Sequence, residues 1–309
     1  MTRKHWFGED VVTIDTTLGR LPKWIPAFER QPFGRNRFHD VIIRRSRADE
    51  ESIPVGLVSK NYVLVQHADA IQAVTAEITN AGIDPAVVRA RLLISEYGTR
   101  MALRATLPAA HAFTPADGHP MALTFECFNS VDGTVPLFGA VGWFRFVCSN
   151  GLLVGTTSAT VRQKHSPPLR IDDIMAVLAD GMASALQDRE SFDVWRTTRI
   201  SGSHLAAWVD GPVAEAWGPL AAARVHGIST TGFDGKPAGP AKKRPPHTWP
   251  LVQHRLVPGT EAPCHDGYAV AQVLAWVAAQ RNDVAQRLNW RAQIKPLMSH
   301  LIPLQGSEA

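Results

Sequence analysis

Residues 141–164, VGWFRFVCSNGLLVGTTSATVRQK, decide the fold. Two alternating runs flank Asn150-Gly151, the dipeptide that two-residue hairpins favour because both central positions need positive φ. Taking those two residues as the loop sets the register, with Ser149 opposite Leu152, Arg145 opposite Thr156 and Trp143 opposite Ser158. One face then carries Gly142, Phe144, Phe146 and Cys148 with Leu153, Ala159 and Val161, a set suited to a core. The other carries Trp143, Arg145, Thr156, Ser158, Thr160, Arg162 and Lys164, a cationic, hydroxyl-rich surface with one aromatic ring.

The same period of two runs upstream through Met121–Phe128, Arg100–Leu107 and Val88–Ser95, the last two joined by a turn at Glu96-Tyr97-Gly98-Thr99. In the middle run Met101, Leu103, Ala105 and Leu107 oppose Arg100, Ala102, Arg104 and Thr106. Further upstream, Val55–Val58 and Tyr62–Val65 read as short β segments around Ser59-Lys60-Asn61. Ile71, Val74 and Ile78 then recur at helical spacing until Asn80-Ala81-Gly82.

Downstream, Ile171 to Leu186 has a helical pattern with Asp172 and Asp173 in its favourable first turn, and further helices follow to about Val225. A final helical pattern runs from Tyr268 to Leu288 and on to Leu301. The expected class is α+β: an antiparallel β-meander packed on helices, with additional C-terminal helices. The division expected is an irregular arginine-rich segment over 1–52, a core domain over 53–231, a proline- and glycine-rich connector over 232–263 and a helical segment over 264–309.

At 309 residues, 45% apolar and 19% charged, the composition is that of a globular chain and excludes collagen, coiled coil or disorder as the main organisation. Cys127, Cys148 and Cys264 form no CxxC pair, which argues against a disulfide framework or a structural zinc. Residues 1–10 lack an apolar leader core, and no stretch approaches the ~20 apolar residues of a membrane helix, so a cytoplasmic protein without membrane contact is expected.

The net charge of +4 is mild, but its distribution is segregated. Arg30, Arg35, Arg37, Arg44, Arg45 and Arg47 face one acid, Asp40, and Gly133–Ile171 holds no acid at all. Gly235–Thr260 is also free of acids and contains Lys242, Lys243 and Arg244. Such clusters suit a partner that carries phosphates, since each neutralised phosphate releases counterions.

Familiar catalytic motifs are missing. Gly235-Lys236 runs into Pro237 and makes no P-loop, and there is no GxSxG, HExxH or GxGxxG. No cofactor and no metal site is expected, and Glu126 beside Arg145 is read as an internal ion pair.

Several segments carry a resemblance. They are Val58-Ser59-Lys60-Asn61-Tyr62 with Val65-Gln66-His67, Gly98-Thr99-Arg100-Met101, Gly142–Arg145 with Val147–Gly151, Ala223–Ile228 with Thr231-Gly232, and Ala275–Val277 with Arg281–Val284 and Arg287–Trp290. Together they resemble the bacterial domain-of-unknown-function family nine-three-two, whose prophage- and plasmid-borne members imply a mobile-element setting. The order of elements is also similar to that of Rad-type single-strand annealing recombinases. That likeness implies a homo-oligomer, a ring for example, binding single-stranded DNA (or RNA) through Arg100, Arg104, Arg145, Arg162 and Lys164, with Trp143 on the bases. Arg35, Arg37, Arg44, Arg45, Lys242, Lys243 and Arg244 would add basic contacts. Two rival readings are a metal-dependent nuclease or other hydrolase using His165, Asp172 and Glu126, and a module acting on host defence through the tryptophan-rich helices from Trp195 to Trp217.

Overall fold

A computed structural model describes residues 11–22, 24–45, 51–95, 97–115, 118–146, 153–238, 244–281 and 284–302. In chain order its strands are β1 (Val11–Thr17), β2 (Phe28–Pro32), β3 (His39–Arg44), β4 (Ile53–Ser59), β5 (Arg89–Ser95), β6 (Arg100–Thr106), β7 (Ala112–Phe113), β8 (Met121–Ser130), β9 (Leu137–Phe146), β10 (Leu153–Gln163), β11 (Phe233–Pro237) and β12 (Leu251–Leu256). Its helices are α1 (His67–Asn80), α2 (Ile171–Thr197), α3 (Gly202–Trp208), α4 (Ala214–Trp217), α5 (Pro219–Thr231), α6 (Gly267–Ala279), α7 (Val284–Ala292) and α8 (Ile294–Leu301). The class is the α+β one expected, with antiparallel pairing of β1 with β5, β5 with β6 and β6 with β8.

The meander is a sheet ordered β1-β5-β6-β8-β9-β10, with β7 on β8. Across β6 and β8, Arg104 opposes Glu126 and Leu103 opposes Cys127. The Asn150-Gly151 turn and Cys148 lie outside the described residues.

Three expectations are corrected. Residues 1–52 are not irregular throughout, because β1 completes the large sheet and β2 and β3 join β4 in a second, three-stranded sheet. Tyr62–Val65 is extended chain leading into α1 rather than a strand. The supposed connector contains β11 and β12, paired from Phe233↔Leu256 to Pro237↔Leu251. Proline density hid this last pair, since Pro237 takes the terminal position of its strand, where proline is tolerated.

The chain divides into two compact units, one formed by Met1–Phe113, Ala122–Gly142 and Ser158–Ala185, the other by Thr114–Met121, Trp143–Thr157 and Leu186–Ala309. In the first, Phe28, Ile42, Val58, Tyr62 and Val131 form a buried cluster that ties the three-stranded sheet to the end of β8. In the second, α6 is buried along its whole length, as expected of a helix apolar on every side. Tryptophans pack this unit: Trp208 donates to the Leu297 carbonyl at 2.9 Å, and Trp217 stacks on Trp290 with ring centres 4.5 Å apart.

Candidate nucleic-acid interface

The face expected to carry phosphates and bases is placed differently from its reading in the sequence. Trp143 is only 1% exposed, with the Arg189 guanidinium 4.7 Å above its ring, and Arg145 is 5% exposed. A ring in that position offers no surface for a base. Arg104 donates to buried Glu126 at 3.0 Å, which makes Arg104 a partner in the internal ion pair. Arg100 donates to Thr134 Oγ1 at 3.0 Å. Only Arg162 and Lys164 of that set are exposed. Period two tells which side chains share a face, but not whether another layer covers it.

Other predicted residues separate in the same way. Arg44 is half-buried, Arg45 is exposed and pairs with Glu29 at 3.2 Å, and Arg244 is exposed. Lys242 and Lys243 lie outside the described residues. His165 is buried against Tyr62, Asp172 is exposed beside Arg170, and Glu126 is committed to Arg104. Among the described residues no group of His, Cys, Asp and Glu is disposed to hold a metal ion. Trp195, Trp208 and Trp217 are buried, so they offer no docking surface.

An exposed aromatic and cationic element lies instead at the tip of the β2–β3 hairpin, Phe33-Gly34-Arg35-Asn36-Arg37-Phe38. Gly34 adopts φ 54°, a conformation glycine tolerates without penalty. The Asn36 side chain accepts from the backbone N–H groups of Phe38 at 2.8 Å and His39 at 3.0 Å, which fixes the turn. On this frame Phe38 is 76% exposed and Phe33 46%, with Arg35 and Arg37 exposed between them.

Acids at the hairpin's base are already occupied. Asp40 pairs with Arg30 at 3.3 Å and with Lys60, and Glu29 pairs with Arg45. Among the described residues none forms an ion pair with Arg35 or Arg37. The two arginines are legible in the sequence as charge, whereas Phe33 and Phe38 follow no periodic pattern there. A Gly-x-Asn turn ahead of the β-branched run Val41-Ile42-Ile43 was the signal that could have found the hairpin.

Several described residues of the motif segments serve the interior. Tyr62 Oη donates to the Ser130 carbonyl at 2.9 Å, and burial pushes its hydroxyl pKa up. His67 Nε2 donates to the Gly98 carbonyl at 2.7 Å, while its Nδ1 accepts from Asn129 at 2.9 Å. Gln66 bonds both backbone groups of Phe28. Further on, Arg224 makes a two-pronged pair with Asp234 at 2.5 and 2.6 Å, and Trp276 adds a third donor at 3.0 Å. Burial opposes ionisation of Asp234, but these donors outweigh it and hold the carboxyl below its usual range.

The family model described as "Domain of unknown function (DUF932)" matches residues 54–222. The chain belongs to the DUF932 family. The DUF932 match begins in β4 and ends in α5, so it takes in Tyr62, His67 and Asn129 and leaves the β2–β3 hairpin outside. No curated protein and no solved structure matches the chain, so the likeness to annealing recombinases rests on element order alone.

Proposed function

We propose that the chain binds single-stranded nucleic acid through the β2–β3 hairpin. The observation that carries this reading is the joint exposure of Phe33, Arg35, Arg37 and Phe38 on one ordered turn. Aromatic rings stack on bases of any sequence while nearby guanidinium groups neutralise phosphates, which is the physical basis of sequence-tolerant binding. Arg162 and Lys164 supply further exposed cations, without a role for Trp143. In this reading the protein acts in the DNA metabolism of a mobile element, and annealing follows where several copies align two strands and base pairing supplies the free energy.

The test is fluorescence anisotropy with labelled single-stranded oligonucleotides over a salt series. Stacking contributes about 1–3 kcal/mol per base, so Phe38→Ala is expected to weaken binding about 10-fold. Each single-strand phosphate contact adds about 0.7 to the salt slope, so Arg35→Glu with Arg37→Glu should flatten it by about 1.4. Unchanged affinity and slope in these variants would remove the hairpin as the interface.

A further inference from the structure

A second chemical cluster lies within the other unit, among the loop elements around α5. A π-helical turn over Val209–Val213, containing Pro212, presents Asp210. Its carboxylate receives the backbone N–H of His247 at 3.0 Å and the ring Nδ1–H of the same residue at 2.5 Å. Two bonds to one residue fix both the position of the imidazole and its tautomer, which leaves Nε2 as the nitrogen for chemistry. His226, on α5, lies edge-on to this ring with centres 5.6 Å apart. Both histidines are only half-buried.

The surroundings hold this arrangement in place. Trp249 is buried and donates from Nε1 to the Arg244 carbonyl at 2.8 Å, which anchors the turn that carries His247. Leu251 packs against Gly227, where a Cβ would sit 2.0 Å from the leucine Cδ1, so the residue after His226 must be small. Burial and the neighbouring His247 lower the His226 pKa, which favours its neutral, proton-accepting form at neutral pH.

We infer that Asp210, His247 and His226 form an acid–base site that cleaves the phosphodiester backbone of RNA. The inference rests on the nucleic-acid reading above only for the class of substrate. Among the described residues no hydroxyl or thiol bonds to either ring's free nitrogen, so no side chain stands there as a nucleophile, and in this proposal the substrate's own hydroxyl takes that part. RNA carries one beside each phosphate, and such an intramolecular attack gains heavily in effective concentration. His226 takes the 2′-hydroxyl proton as O2′ bonds to phosphorus. The bond from phosphorus to O5′ breaks, and O5′ takes a proton from Nε2 of the His247 imidazolium, whose charge Asp210 balances. The products are a 2′,3′-cyclic phosphate and a free 5′-hydroxyl, and proton exchange with water restores both rings. Arg244, three residues before His247, is the exposed cation nearest in sequence for a phosphate.

The experiment incubates the full chain, with EDTA present, with an RNA oligonucleotide, its DNA counterpart and its 2′-O-methyl counterpart. Cleavage of the RNA alone to a cyclic phosphate is expected. His226→Gln and His247→Asn, the second keeping a donor for Asp210, should each slow it about 100-fold or more while oligonucleotide binding and thermal midpoint stay unchanged. RNA that is bound but left intact, or DNA that is bound while RNA is neither bound nor cut, overturns this inference alone, and failure to bind either the RNA or the DNA oligonucleotide overturns the nucleic-acid reading as well. Cleavage of all three oligonucleotides, or cleavage that survives both substitutions, also overturns it.

Discussion

His67 is a histidine that the fold holds neutral. Burial lowers its pKa to about 4, and this outweighs the opposing pull of the Gly98 carbonyl. The unfolded chain takes up the proton near 6.5 while the folded chain refuses it until about 4, so the folded state loses ground as pH falls through that window. Above pH 6.5 the contribution is complete. The span corresponds to about 3 kcal/mol, at about 1.4 kcal/mol per pH unit. Urea unfolding at pH 7, 5.5 and 4 should show this decline, and it should be shallower in His67→Gln. His165 is shifted in the same direction by burial and adds to the same slope. At Tyr62 the outcome is a plain loss of one bond: Tyr62→Phe leaves the buried Ser130 carbonyl without its donor and should cost about 1–2 kcal/mol at any pH from 5 to 8, read from the same unfolding curves.

At the scale of elements, Gly181 decides how closely α2 approaches the sheet within the first unit. A Cβ there would lie 1.9 Å from Val141 Cγ1 and 3.0 Å from the Ala159 Cβ. Gly181→Ala gains helix propensity of up to about 1 kcal/mol, but overpacking costs about 1–3 kcal/mol. A lower thermal midpoint is therefore expected, and a higher one would show that α2 can shift without penalty. Local pattern made much of this legible in advance. Alternation located β5, β6 and β8, and three- to four-residue spacing located α1 and α2. What local pattern could not show was coverage, since Trp143 and Arg145 alternate with core residues just as solvent-facing residues do. The hairpin is hidden by a second effect: the arginines of Arg30–Arg47 interrupt the alternation around the strand-forming Val41-Ile42-Ile43. The His226, Asp210 and His247 cluster was illegible because its members converge from three separate segments, and only tertiary structure brings them together.

For the whole molecule, a charge of +4 spread over 309 residues predicts association through local clusters rather than through a uniform field. Oligonucleotide binding should therefore fall steeply between 50 and 200 mM salt, and it should be unaffected by EDTA; loss of binding on chelation would point to a metal that the described residues do not foreshadow. Association between copies is a different matter, and one side chain bears on it. Gln66 accepts from the Phe28 N–H at 3.0 Å and donates to the Phe28 carbonyl at 2.8 Å, taking the place that a neighbouring strand would occupy beside β2. An open sheet margin invites foreign chains to zip onto it. Here a single amide imitates one rung of such a chain, so the protein carries a built-in stopper against strand-by-strand polymerisation on the very strand that leads to its exposed aromatic tip.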